Sequence, residues 1–146
     1  MNIMKNIGHY LLKFIFLTNI FTMALLILII YWSVFPRKIL EFKKDNFKIL
    51  TKQVKIGGVL KYQAHTCKYV NSPATVTRSF INGVIFSTPS FESNKKIGCC
   101  NDVISVQVPP ELEAGNYYIR NTYIYRLNPI RTVTFIHQSE MFEIIN

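Results

Sequence analysis

At 146 residues the chain has room for one modest domain and an appendage, not for two full cores. Hydrophobic residues make up 49 % of it, yet it carries a formal net charge of +9, which a small domain reconciles only by keeping the two apart along the chain. Between residues 37 and 68 there are nine basic residues against two acids, whereas residues 69–146 hold six of each. The excess is therefore local, which argues against a nucleic-acid-binding face spread over a domain, and no nucleic-acid partner is expected.

In chain order, residues 1–13 read as an N-terminal tail carrying Lys5 and Lys13. Residues 14–35, "FIFLTNIFTMALLILIIYWSVF", then run for 22 positions without a charge. A helix of that length matches the roughly 30 Å hydrocarbon core of a bilayer at about 1.5 Å per residue. Tyr31 and Trp32 stand near its end, where amphipathic rings favour the membrane interface. A cleavable signal peptide would have a shorter apolar run and small residues at its exit. Here the exit reads "YWSVFPRK", so the expectation is an uncleaved signal-anchor, single-pass, with no lipid-bearing cysteine.

Residues 36–49 read as a basic juxtamembrane linker. Arg37, Lys38, Lys43, Lys44 and Lys48 are candidates for contact with anionic lipid headgroups, each worth about 1 kcal/mol near such a surface, and a solvated, flexible tether is the equal alternative. The orientation signals conflict. The heavier basic flank lies after the helix, which by the positive-inside bias points the domain to the cytoplasm. The short tail and a cysteine-bearing β domain of exported character point outward, and the reading adopted is the periplasmic or extracellular side.

From residue 50 onward the helical period vanishes and turn signals recur about every ten residues. "LTKQVKI" leads to Gly57-Gly58, a strand bend. In "VLKYQAHTCKYV", Leu60, Tyr62, Ala64 and Thr66 alternate with Lys61, Gln63, His65 and Cys67, so the first set is expected to face a core. "TVTRSFI-NG-VIFST" sets Asn82-Gly83 between β-branched and aromatic runs, the signature of a two-residue type I′ hairpin turn. Residues 89–102 read as a polar loop, "VISVQV" as a strand stopped by Pro109-Pro110.

In "LEAGNYYIRNTYIYRLNPIRTV", Gly115 releases a turn and Tyr117 starts a strand whose apolar side continues through Ile119, Tyr123 and Tyr125. "NPIRTVTFI" follows as turn and strand, and "SEMFEII" ends the chain with Phe142 and Ile144 on one side. The "G-x-Y" step resembles the start of the penultimate strand of immunoglobulin-like sandwiches. The whole pattern also resembles small single-pass membrane proteins encoded by phages and bacteria. The fold expected is mainly β, an antiparallel immunoglobulin-like β-sandwich over residues 50–146, preceded by one N-terminal transmembrane α-helix.

Three cysteines carry the most chemistry. Cys67 is placed to bridge either Cys99 or Cys100, and the third thiol is left over for intermolecular pairing. Inert thiols are the plain alternative. The metal alternative takes His65, Cys67, Cys99 and Cys100 as four ligands for zinc or copper, although the spacing departs from the usual paired-cysteine pattern. Tyr118, Arg120, Tyr123, Arg126 and Arg131 form a candidate recognition surface, since interfaces favour Tyr and Arg. No catalytic motif or phosphate-cradling glycine loop is present, and neither an enzyme nor a cofactor is expected. The expected function is a membrane-anchored, non-enzymatic binding or assembly module with the lipid bilayer and an unidentified protein as partners. The alternatives are a phage-type membrane effector, for lysis or superinfection exclusion, and a metal-binding protein.

Overall fold

In a computed structural model the chain is described over residues 2–146, the side chains of residues 2–9 and 44–46 excepted, and it divides into two units, Met1–Arg37 and Lys38–Asn146. The first unit is built on α1 (Asn2–Val34). Of the tail expected at 1–13, Met1 lies outside the described residues and the remainder continues the helix, which starts well before residue 14.

The stretch Tyr10–Val34, 25 residues, is long and apolar enough to cross a membrane, about 37 Å at helical rise. Ile27, Leu28, Ile29 and Ile30 cover one full turn with apolar, exposed side chains, so no polar face exists there. The threonine and serine hydroxyls inside the stretch bond to the helix itself. Thr18 Oγ1 donates to the Phe14 carbonyl at 2.5 Å, Thr22 Oγ1 to Thr18 at 2.8 Å and Ser33 Oγ to Ile29 at 2.8 Å. Such back-bonding leaves those groups satisfied where water is absent.

The second unit is all strand and connection. Its elements are β1 (Leu40–Ile49), β2 (Gln53–Lys55), β3 (Val59–Lys68), β4 (Ala74–Asn82), β5 (Val84–Ser87), β6 (Phe91–Ser93), β7 (Gly98–Gln107), β8 (Gly115–Asn128), β9 (Arg131–Gln138) and β10 (Phe142–Ile145). One sheet has the order β1-β3-β7. The other runs β2-β10-β8-β4-β5, with β9 beside the C-terminal half of β8 and β6 beside the start of β4. All pairs are antiparallel except β2 with β10.

Three expectations need correction. The linker expected at 36–49 is largely β1, which pairs with β3 from Leu40↔Lys68 to Ile49↔Tyr62, so the folded unit begins before residue 50. Its ladder shifts register between Phe42 and Phe47, and that irregularity breaks the alternation that would have marked a strand. The polar loop expected at 89–102 contains β6 and the first half of β7. The hairpin at Asn82-Gly83 is present, but Ile81 opposes Ile85 and Asn82 opposes Val84. A two-residue turn would oppose Ile81 and Val84. The turn is centred on Gly83 instead, whose φ of 68° only glycine adopts without strain.

The period-two reading of β3 holds from Leu60 to Thr66, where Leu60, Tyr62, Ala64 and Thr66 are buried while Lys61 is exposed, and it fails at Cys67, expected on the outward face but 1 % exposed. Leu60, Tyr62 and Ala64 meet Phe80 of β4, Tyr117 and Ile119 of β8, and Phe142 and Ile144 of β10, so the two sheets share one core. A second cluster gathers Ile39, Leu40, Val70, Ala74, Val76 and Tyr125. Fully buried Asn121 donates Nδ2–H to Tyr62 Oη at 3.1 Å, joining β8 to β3 through the interior. A loop before β10 adds two anchors. Ser139 Oγ accepts the Ile119 N–H at 3.0 Å, and Glu140 Oε1 accepts the Ile49 N–H at 3.2 Å.

Phe80 is 0 % exposed and Val84 is 78 % exposed on the adjoining hairpin. Phe80→Ala is expected to lower unfolding free energy by about 3–5 kcal/mol, and Val84→Ala to stay within about 0.5 kcal/mol, in urea titrations followed by circular dichroism.

Candidate functional site

The cysteine-histidine row is positioned by the β3–β7 ladder. Ten register pairs run from Val59↔Gln107 to Lys68↔Gly98, and among them Cys67 opposes Cys99, His65 opposes Asn101 and Thr66 opposes Cys100. Alternation then puts His65, Cys67 and Cys99 on the outer face and Cys100 on the other. Cys67 and Cys99 form a disulfide, their Cα atoms 3.9 Å apart, across a sequence separation of 32. Cys100 is free and exposed. Of the two bridges left open by the sequence, ladder register selects the first.

The same register breaks up the four-ligand metal set. The ligand atoms of His65, Cys67 and Cys99 lie within 4.8 Å of one another, and Cys100 is not in that group. Cys67 is 1 % exposed, His65 half-buried and Cys99 exposed, so the row opens to solvent on one side. Across β1, Glu41 opposes Cys67. Its carboxylate is already engaged, accepting from Tyr69 Oη at 2.6 Å and pairing with Lys38 Nζ at 2.8 Å. The hydrogen bond from Lys38, then that from Tyr69, holds the Glu41 carboxyl below its usual range.

The basic residues of the 37–68 run divide between surface and interior. Lys38, Lys43 and Lys48 are exposed, as is Arg37 in the helical unit, while the side chain of Lys44 lies outside the described residues. Lys68, the last of the nine basic residues in the 37–68 run, is buried instead. Its Nζ donates to the Lys95 carbonyl at 2.7 Å and stands 5.9 Å from the Tyr125 ring centroid, and desolvation pulls its pKa down. Lys95 in turn pairs with Asp102.

The candidate recognition surface does not assemble as a single patch. On β8 the odd-numbered residues from Tyr117 to Tyr125 face inward, so Tyr118, Arg120 and Arg126 share the outer face and Tyr123 does not. Tyr123 packs against Phe42 with ring centroids 5.6 Å apart, and burial drives its phenol pKa far above the ordinary value. Arg131 opens β9 across from Asn128, beyond a register shift that separates it from Arg126.

Two features were not singled out from sequence. His137 stacks on Phe42 at 4.2 Å and meets Phe47 edge-on at 4.7 Å, so the imidazole bridges β9 and β1 where the two sheets adjoin. Its Nδ1 is buried without a hydrogen-bond partner, and desolvation lowers its pKa from 6.5. The alternation of Val133, Phe135 and His137 against exposed Thr134, Ile136 and Gln138 was the signal available. The second feature is a hollow of about 290 Å³ walled by the Asn82 hairpin, Phe86, Tyr117 and the Glu111–Glu113 connection. It puts two carboxylates beside aromatic rings.

No protein-family model and no curated protein matches the chain. Among solved structures, a β-glucosidase from Listeria innocua, in a complex with glucose, aligns at 8 % identity with a TM-score of 0.39. The alignment covers 72 % of this chain and 16 % of that one, so the chain spans a small fraction of the enzyme's length. A likeness of that size carries no conclusion about activity.

Two outcomes follow from this geometry. Cys67→Ser or Cys99→Ser is expected to cost about 2–5 kcal/mol of unfolding free energy, whereas Cys100→Ser leaves it unchanged, in matched denaturant titrations. For His137, the unfolded imidazole takes a proton near pH 6.5 while the folded one resists until lower pH. Stability is then complete above pH 6.5 and declines as pH falls from there toward the depressed folded value, and His137→Phe flattens that decline in pH-resolved melts.

Proposed function

We propose that this chain is a single-pass membrane protein that displays an immunoglobulin-like β-sandwich at the membrane surface and acts by binding or assembly, without catalysis. The observation that carries this reading is the division into a helix with an uncharged apolar run, its Thr18, Thr22 and Ser33 hydroxyls bonded internally, and a separate β unit with its own core and disulfide. Water suits only the second of these, and a bilayer only the first.

The immunoglobulin-like assignment draws support from strand order. Taking β1, β3 and β7 as strands A, B and E, and β9, β8, β4 and β5 as G, F, C and C′, supports the sandwich reading, with β2, β6 and β10 outside that assignment. Tyr117, 6 % exposed at the start of the F-like strand, fits the same scheme. Outward display is supported by the Cys67–Cys99 bridge, because such bonds persist in oxidising compartments. Exposed Lys43 and Lys48 on β1 suit contact with anionic headgroups. The outer face of β8, with Tyr118, Arg120 and Arg126, is the surface offered to a protein partner.

A membrane-impermeant thiol reagent applied to intact cells tests the display. Labelling of Cys100 without reductant, and of a Cys100→Ser variant only after reductant, is the expected result. A signal that emerges only after lysis would assign the domain to the cytoplasm. If a chain ending at residue 37 permeabilises cells as the full chain does, a helix-driven effector replaces the display module.

A further inference from the structure

We propose that His65, Cys67 and Cys99 form a reduction-gated site for a soft metal ion, Zn²⁺ or Cu⁺, which the disulfide holds closed. This inference is independent of the display function. It rests on the β3–β7 register, which sets the two sulfurs directly across the ladder and the imidazole two residues before Cys67 on the same face.

A tetrahedral Zn²⁺ with bonds of about 2.3 Å to sulfur and about 2.0 Å to nitrogen needs its ligand atoms roughly 3.5–3.8 Å apart. The three ligand atoms already lie within 4.8 Å, and the backbone spacing of 3.9 Å between Cys67 and Cys99 keeps both sulfurs in reach after the bond opens. Side-chain torsions bring the widest pair in by the remaining ångström and part the two sulfurs once their bond is broken. Two thiolates and an imidazole are the donors that borderline and soft ions select, and the two thiolates cancel a divalent charge. The ion approaches past exposed Cys99 and half-buried His65, with Cys67 as the floor. Glu41 is held by Lys38 and Tyr69 and stays outside the set.

The gate balances with a phosphine reductant. Phosphorus attacks one sulfur, the Sγ–Sγ bond breaks, and water supplies the oxygen of the phosphine oxide. The two protons from that water end on the two sulfurs. Metal binding then releases both thiol protons to solvent and takes the free lone pair of His65. In a reducing compartment coordination would hold β3 to β7 where the covalent bond does so in an oxidising one.

The test uses the full chain in detergent micelles, on a Cys100→Ser background that removes the unrelated thiol, with Co²⁺ alone as the probe. After phosphine reduction, one equivalent of Co²⁺ is expected to produce a thiolate-to-metal charge-transfer band with tetrahedral d–d absorption, displaced by Zn²⁺. The unreduced protein should give neither. His65→Ala should weaken Co²⁺ by at least about tenfold. An equal affinity in His65→Ala overturns the site. So does a reduced protein that retains its β circular dichroism and takes up no Co²⁺. Loss of that β signal on reduction, with no recovery when the ion is added, overturns it as well.

Discussion

Two strands facing each other through the interior hold the β unit together. β3 runs through the middle of one sheet, between β1 and β7, and β8 is paired on both edges in the other. Their inward rows, Leu60-Tyr62-Ala64 and Tyr117-Ile119-Asn121, supply the centre of the core, and the Tyr62–Asn121 hydrogen bond links them. Because side-chain direction alternates strictly, slipping either strand by one residue would turn its whole apolar row to water. Register on these two strands therefore decides what every other strand can bury.

The polar groups that interrupt this core are managed locally. Tyr62 and Asn121 satisfy each other, Ser139 closes the backbone of Ile119, and buried Lys68 finds a carbonyl and an aromatic ring. His137 differs, since its rings of contact are aromatic and its Nδ1 has no partner. A neutral imidazole suits that environment and a charged one does not. In the helical unit the hydroxyls of Thr18, Thr22 and Ser33 meet the same demand by returning to the helix's own carbonyls.

The ladder that sets the core on one face of β3 also sets the chemistry on the other. Pairing Cys67 with Cys99 commits one sulfur row to a covalent link at the edge strand β7, which otherwise depends on β3 alone for backbone pairing. Cys100 is sent to the opposite face by the same alternation. A vicinal pair that looks equivalent in the sequence is thereby split into a staple and a free thiol.

Patterns of short range could be read directly. The uncharged 22-residue run, the alternation in β3 and β8, and the position of the Asn82-Gly83 hairpin are all local signals, because helix rise, strand pleat and turn conformation depend on neighbours a few residues away. What required the tertiary structure was pairing between distant segments. β1 was hidden because its polar residues and bulge make sense only against β3, and the disulfide partner followed from which residue of β7 opposes Cys67. Backbone hydrogen bonds between strands have no spacing rule along the chain, and that is why register, unlike periodicity, was decided only by the folded whole.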